Sequence, residues 1–375
     1  MNKKLQICTR CIMDNRSDDT ITFDSAGRCN YCTEALQMMP NVYFPNEEGQ
    51  RKIGEMVNHI KRENATKFYD CLMGLSGGLD SSYLAYLGAV KWGLRIYAVH
   101  IDDGFDEPVA KENISKLCEK ANIKLIIEKP DAEQFNDLTK AFLLAGVPNL
   151  VIPQDNVLLA CLYRNARKER IGHLLSGDNF ALECILQKGN TYDSTDKRHI
   201  KAIYKQFGKK SINKLPLLSH QRMLFDRLFL RIETLRPLNY IDYNRAEAIQ
   251  ELREFCGFEY YGSKHLENKL TKFIQLYWFV NKFNVDKRAS HLSSMIISNQ
   301  LTREEALAEK DKPLYDDETM CTNIKMLLEK LEISEDEFNK IMSQSPIQHS
   351  AYKTSNFARF YIELSGLFRR MRQKR

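Results

Sequence analysis

Between residues 69 and 128 the chain alternates short, nearly all-apolar runs with longer amphipathic ones. Runs 69–75, 95–101 and 124–128 have the length and composition of strands, whereas 81–92 and 109–121 carry apolar residues at helical spacing. Near-continuous apolar strands separated by helices predict a parallel sheet covered on both faces, an α/β core. The pattern continues with a helix near 156–170 and a strand at 173–176 that runs into Gly177, Asp178 and Asn179. Upstream, prolines and polar residues mark 40–49 as a linker, and 51–64 reads as a helix leading into the first strand. From about Asp242 strand signals fade, and apolar positions such as Leu266, Leu270, Phe273, Ile274 and Tyr277 fall on one helical stripe. Thr302 with Glu305, and Ser334 with Glu337, mark capped helix starts, so the C-terminal region is predicted to be helical.

Composition narrows this picture only slightly. A chain of 375 residues with 43% hydrophobic residues is enough for about two or three globular domains. The balance of 55 Lys and Arg against 49 Asp and Glu leaves +6, which suits small anionic ligands and favours nucleic acid weakly, so no nucleic-acid partner is expected. The basic end, 368–375, reads as a solvated tail. The first residues contain no apolar core of signal-peptide length, and the most apolar stretch, 141–163, is cut by Pro148, Pro153, Gln154 and Asp155. No membrane span and a cytoplasmic location are therefore expected.

The first strand breaks into Ser76-Gly77-Gly78-Leu79-Asp80-Ser81-Ser82, where a helix is predicted to begin. Paired glycines let the backbone approach an anion, and the helix start offers unpaired N–H groups and a partial positive charge. Ser76, Ser81 and Ser82 add hydroxyls, and Asp80 adds a carboxylate where a phosphate-bound Mg²⁺ needs one. Neither a Gly-x-x-x-x-Gly-Lys-Ser/Thr loop nor a Gly-x-Gly-x-x-Gly fingerprint after a strand competes with it. Ligands of open α/β sheets bind beyond the carboxyl ends of the strands, so His100 with Asp102 and Asp103, and Asp178 with Asn179, point to the same crevice. Asp178-Asn179 has a plainer alternative as a turn.

Four of the ten cysteines form Cys8-x-x-Cys11 and Cys29-x-x-Cys32, the spacing of a zinc ribbon, with 21–28 read as a strand and turn returning the second pair to the first. Four thiolates would close a tetrahedral Zn²⁺ shell, which favours a structural over a catalytic metal; two disulfides are the alternative. The remaining six cysteines follow no motif and read as small buried hydrophobes.

The Ser-Gly-Gly-x-Asp-Ser motif resembles that of the ATP pyrophosphatases, the PP-loop enzymes. Over essentially its whole length the chain also resembles the N-acetyl sugar amidotransferases of bacterial surface-polysaccharide biosynthesis. Four stretches carry the likeness: the cysteine pairs at 8–14 and 29–32, the loop at 74–82, Tyr261-Gly262-Ser263-Lys264-His265-Leu266-Glu267, and Asp286-Lys287-Arg288-Ala289-Ser290-His291-Leu292-Ser293.

The resemblance implies a PP-loop (adenine nucleotide alpha hydrolase-like) domain at 46–245, preceded by a zinc ribbon at 1–45 and followed by a helical substrate or partner domain at 246–375. It implies a reaction in which an acetamido oxygen of a nucleotide-activated N-acetyl sugar is adenylated by ATP, pyrophosphate leaves, and ammonia displaces AMP to give an acetamidino group. Such a reaction would serve lipopolysaccharide, O-antigen or other surface-glycan biosynthesis. No glutaminase motif is visible in the chain, so the implied ammonia source is a separate glutaminase with a cyclase-like channelling subunit, resembling imidazole glycerol phosphate synthase.

On the matched residues, Ser76, Gly77, Gly78, Ser81 and Ser82, with His100, are expected to hold ATP. Asp80 and Asp178 are expected on Mg²⁺, and Cys8, Cys11, Cys29 and Cys32 on Zn²⁺. Lys264, His265, Lys287, Arg288 and His291 are expected to bind the anionic sugar nucleotide or pyrophosphate. Catalytic roles fall to Asp80, Ser76, Lys264 and Arg288. The basic residues have a plainer alternative as a solvated helix face. A tRNA thiolation enzyme is the alternative function, disfavoured by the lack of paired cysteines near the loop and by the modest charge. A non-enzymatic adaptor is disfavoured because the loop keeps Asp80 and all three serines.

Overall fold

Strands β1 (Cys71–Gly74), β2 (Ile96–Ile101), β3 (Lys124–Glu128), β4 (His173–Leu175) and β5 (Glu233–Leu235) form one sheet in the order β3-β2-β1-β4-β5, with every neighbouring pair parallel. The computed structural model describes residues 4–262, 266–355 and 357. Helices α1 (Asn30–Val42) and α2 (Glu47–Glu63) precede β1. Then α3 (Leu79–Tyr86) follows β1, α4 (Pro108–Lys120) follows β2, α5 (Ala132–Ala145) and α6 (Ile152–Lys168) follow β3, and α7 (Phe180–Glu183), α8 (Lys197–Phe207) and α9 (His220–Phe229) follow β4.

The alternation of side chains along each strand explains why both faces had to be apolar. Leu72, Tyr97, Val99 and Leu174 pack on Ala160, Leu162, Tyr163 and Ala166 of α6. Their neighbours Cys71, Met73, Ile96, Ala98 and Leu175 pack on the opposite side against Leu84 of α3 and Ile114 and Leu117 of α4. The sheet is thus a middle layer between two apolar ones.

Beyond β5 the chain is helical: α10 (Arg245–Cys256), α11 (Lys269–Phe273), α12 (Phe279–Phe283), α13 (Arg288–Ile297), α14 (Arg303–Lys310), α15 (Asp317–Lys330) and α16 (Glu335–Ser343). The Thr302 and Ser334 starts are as expected, and Thr302 with Glu305 forms a reciprocal capping box. No helix among the described residues is long and apolar enough to cross a membrane.

Three local expectations change. The linker at 40–49 is mostly helical, because α1 runs through Pro40 and α2 already begins at Glu47, where Asn46 accepts from Gly49 N–H as a cap. Pro40 lies in the last turn of α1, where its missing donor costs only one hydrogen bond. Residues 21–28 form no strand: a single bridge between Phe23 and Cys29 and a left-handed turn at Gly27 bring the cysteine pairs together. Strand β5 was not anticipated, since three residues are too few to show a period. The basic end, 368–375, lies outside the described residues.

Candidate functional site

The sheet order reverses at β1 and β4, so the loops leaving these two neighbours diverge and open a crevice beyond their carboxyl ends. The loop after β1 supplies Ser76, Gly77 and Gly78; the loop after β4 supplies Ser176, Gly177 and Asp178. They touch closely: a Cβ on Gly177 would stand 3.2 Å from the backbone of Asp80 and Ser81. Gly77 has φ of +80°, and a Cβ there would meet the Ala110 carbonyl oxygen at 2.5 Å, so α4 presses against the loop from the other side. Both facts account for glycine, which alone tolerates this backbone and this approach.

Ser76 is the hub of the loop. Its hydroxyl accepts from Gly78 N–H (3.1 Å), donates to Glu267 Oε1 (3.2 Å) and lies 3.2 Å from the Ser81 hydroxyl. The Ser81 hydroxyl in turn donates to the Gly78 carbonyl at 3.3 Å. Asp80 accepts a hydrogen bond from the hydroxyl of Tyr243, which is buried. Burial, and then the Asp80 carboxylate, push the Tyr243 hydroxyl well above the usual phenol range, so it stays a proton donor. Tyr261 takes the Leu79 N–H at 3.0 Å and so occupies one donor at the start of α3. Ser82 departs from its expected phosphate contact: it is fully buried, and its hydroxyl has no hydrogen-bond partner.

Glu267 is also buried, and its second oxygen, Oε2, has no hydrogen-bond partner. A carboxylate against a phosphate-type loop would repel an anion, and a divalent cation between them removes the conflict. Asp80 and Glu267, whose charges both act on Tyr261, offer carboxylate oxygens of the kind that Mg²⁺ requires. Asp178 lies on the facing loop but is exposed, with its carboxylate 3.3 Å from Arg236 Nε.

His100 reaches the same place from β2, its Nδ1 donating to the Leu75 carbonyl (2.9 Å) and its Nε2 3.2 Å from Asp106. Burial works against its charged form, but the hydrogen bond and charge of Asp106 prevail, and the pKa rises. Nearby, burial followed by the Asp106 charge pushes Asp103 up to about 6. Against the burial of Asp102, Lys111 and Lys129 hold that carboxyl below its usual range. Asn268 donates to Asp103 at 3.2 Å, so this acidic loop is sewn to the start of the C-terminal helices.

The expected basic residues fare differently. Lys264 and His265 lie outside the described residues. Lys287 precedes α13 with Nζ 4.9 Å from the centre of the Phe279 ring, and burial pushes its pKa down to about 8. The backbone N–H of His291 donates to the Lys287 carbonyl at 3.4 Å. Arg288 is committed elsewhere: its guanidinium pairs with Asp286 (2.9 Å) and donates to the carbonyls of Glu309, Lys310 and Lys312, closing the end of α14.

At the N-terminus the sulfurs of Cys8, Cys11, Cys29 and Cys32 all lie within 4.8 Å of one another. The Cys8–Cys32 and Cys11–Cys29 pairs stand 3.7 and 3.5 Å apart. Zn–S bonds of about 2.3 Å put tetrahedral sulfurs about 3.8 Å apart, so the donor set fits a zinc-sized cation. Backbone N–H groups of Arg10, Cys11 and Cys29 point at the Cys8 sulfur. Arg303 of α14 donates to the Cys8 and Cys11 carbonyls, and Ser293 of α13 accepts from Ile12 N–H, fastening the cluster to the C-terminal helices.

Known proteins resemble this chain domain by domain. Residues 67–179 match the asparagine synthase family, and residues 267–365 match the family described as LPS biosynthesis protein WbpG-like, C-terminal domain. The chain thus carries a WbpG-like C-terminal stretch and an asparagine-synthase-like stretch. No curated protein matches it. Similar solved structures include an NH3-dependent NAD synthetase from Campylobacter jejuni, 18% identical, covering 56% of this chain and 93% of that one, TM-score 0.29. Another is the U34-tRNA thiolase NcsA from Methanococcus maripaludis, described with its [4Fe-4S] cluster, 15% identical, covering 82% of this chain and 89% of that one, TM-score 0.33. The stretch that matches the asparagine synthase family holds β1 to β4 of the five-stranded parallel sheet described above.

Three residues of the site escaped sequence reasoning. Tyr261 and Glu267 fall inside a stretch singled out by resemblance, yet its basic residues are the ones whose charge suits an anion. Tyr243 had no signal at all, since a buried tyrosine in a helical approach looks like core.

Proposed function

We propose that this chain is an ATP-dependent amidotransferase of surface-glycan biosynthesis, activating the acetamido oxygen of a nucleotide-linked N-acetyl sugar for attack by ammonia. The observation that carries the reading is the contact between Ser76 and Glu267 at 3.2 Å. It joins the nucleotide loop of the asparagine-synthase match to the first residue of the WbpG-like match. That contact supports a site shared by the loop and the WbpG-like stretch.

The chain's own residues divide the work as follows. Gly77, Gly78, Ser76 and Ser81 cradle the ATP phosphates, with backbone N–H groups at the start of α3 facing the departing pyrophosphate. Asp80 and Glu267, with Asp178 across the crevice, hold Mg²⁺, which supplies charge neutralisation on the phosphates when bound. The Tyr243 hydroxyl fixes the Asp80 carboxylate in position. The amide oxygen bonds to the α-phosphorus as the α–β bridge bond breaks, releasing pyrophosphate. Ammonia then adds to the same carbon, and AMP leaves carrying the former amide oxygen. Lys264, His265, Lys287 and His291 are proposed to face the sugar nucleotide, and ammonia to arrive from a partner glutaminase with its channelling subunit. The four-cysteine cluster holds structural Zn²⁺.

Incubation with ATP, Mg²⁺, ammonium and a diacetamido nucleotide-sugar tests this. Sugar-dependent AMP and pyrophosphate should appear, with a product lighter by the difference between an oxygen and an NH group. Pyrophosphate release that no such sugar stimulates, but a tRNA does, would replace this reading with tRNA thiolation.

A further inference from the structure

Helix α2 carries His59 and Glu63 one turn apart, so both side chains leave the same face. That face meets His173, the first residue of β4, at the end of the sheet opposite the crevice. His173 Nε2 lies 3.0 Å from one Glu63 oxygen, and His59 Nε2 lies 3.6 Å from the other. The three donor atoms fall within 4.8 Å of one another.

Two features set this group apart from a surface ion pair. Metal–N and metal–O bonds of about 2.0–2.1 Å place tetrahedral donors about 3.3 Å apart, and His173 and His59 each stand within about 0.3 Å of that distance from a Glu63 oxygen, though from different ones. His173 and Glu63 are hydrogen-bonded at 3.0 Å, whereas the 3.6 Å between His59 and Glu63, one helical turn apart, is too long for a hydrogen bond. Second, His173 is only 3% exposed, and its Nδ1 has no hydrogen-bond partner. A Glu233 oxygen stands 3.6 Å behind that nitrogen, on the residue paired with His173 across β4 and β5. That carboxylate places negative charge behind the second ring nitrogen, on the side where a ligating histidine usually has its orienting carboxylate, without a hydrogen bond.

We propose that His59, Glu63 and His173 form a second cation site, separate from the four-cysteine cluster and from the nucleotide crevice. Two imidazoles and one carboxylate select a divalent transition metal, zinc foremost, rather than Mg²⁺ or Ca²⁺. His59 and Glu63 are about half exposed, so the open side of the site admits water as a further ligand. The bound ion ties α2 to β4, a link between the segment that follows the cysteine cluster and an interior strand of the sheet.

Cobalt(II) titration of the full chain, stripped of metal under reducing conditions, tests the site. The wild type should take up about two equivalents, one with intense thiolate-to-cobalt absorption and one without it. His59→Ala and Glu63→Gln change half-exposed side chains, and each should lose only the equivalent that lacks thiolate absorption. A wild type that saturates with the thiolate-type equivalent alone, or variants that keep both equivalents, would overturn the proposal. Loss of the thiolate-type equivalent in Cys29→Ser, with the other retained, supports it and keeps the two sites distinguishable.

Discussion

Adjacent glycines in the nucleotide loop should respond to the same substitution by different physics. Gly77 has φ of +80°, and an added Cβ would lie 2.5 Å from the Ala110 carbonyl oxygen, a backbone atom of α4 that cannot turn aside. Gly77→Ala therefore carries about 1–2 kcal/mol of left-handed backbone strain and about 1–3 kcal/mol of overpacking, roughly 2–5 kcal/mol together. Gly78 has an ordinary φ of −73°, and its added Cβ would meet only side-chain atoms, Glu267 Oε1 at 2.5 Å and the Ser76 hydroxyl at 3.0 Å. These can swing away, so Gly78→Ala should cost less than about 1 kcal/mol of stability. It should still impair the site, because the displaced groups are the proposed phosphate and Mg²⁺ ligands. Urea denaturation of both variants, beside pyrophosphate release over a range of Mg²⁺, separates the cases. Gly77→Ala should lose stability; Gly78→Ala should keep it while needing more Mg²⁺ for half-maximal rate. Equal stabilities of Gly77→Ala and wild type would refute the reasoning about the left-handed turn and the α4 contact.

Further predictions concern charge. Asp80→Asn should abolish sugar-dependent pyrophosphate release while leaving the metal content of the four-cysteine cluster unchanged; retained turnover would remove Asp80 from the site. Arg288→Ala should lower stability by about 1–3 kcal/mol, since it strips Asp286 and three helix-end carbonyls of a donor, and leave the KM for the sugar nucleotide unaltered. A raised KM at unchanged stability would return Arg288 to the substrate. His349 is buried, accepts from Asn149 N–H at 3.2 Å and lies beside His199, and burial pushes its pKa down to about 3 from the usual 6.5. Between those values the unfolded chain binds a proton that the folded one refuses, so stability falls as pH drops, by up to about 1.4 kcal/mol per pH unit. Urea midpoints between pH 7 and 4 should show a shallower acid decline in His349→Gln, and parallel declines would exclude this histidine as the source.

The sheet core was legible along the chain because local patterns carry it. Strands covered on both faces must be apolar along most of their length, as at 96–99, and a glycine pair before a helix declares a phosphate-type turn wherever it sits. Four cysteines in two close pairs likewise announce a cation, because each short turn already places two sulfurs together. The wider site had no such local signature. Tyr243 reaches Asp80 across 163 positions and Glu267 reaches Ser76 across 191, so their meeting exists only once β1, β4 and the C-terminal helices have packed. Arg288 shows the converse: a cation in a suggestive stretch points wherever its helix faces, and here it faces the carbonyls at the end of α14. Side-chain direction and long-range pairing follow from packing, which no window of sequence contains.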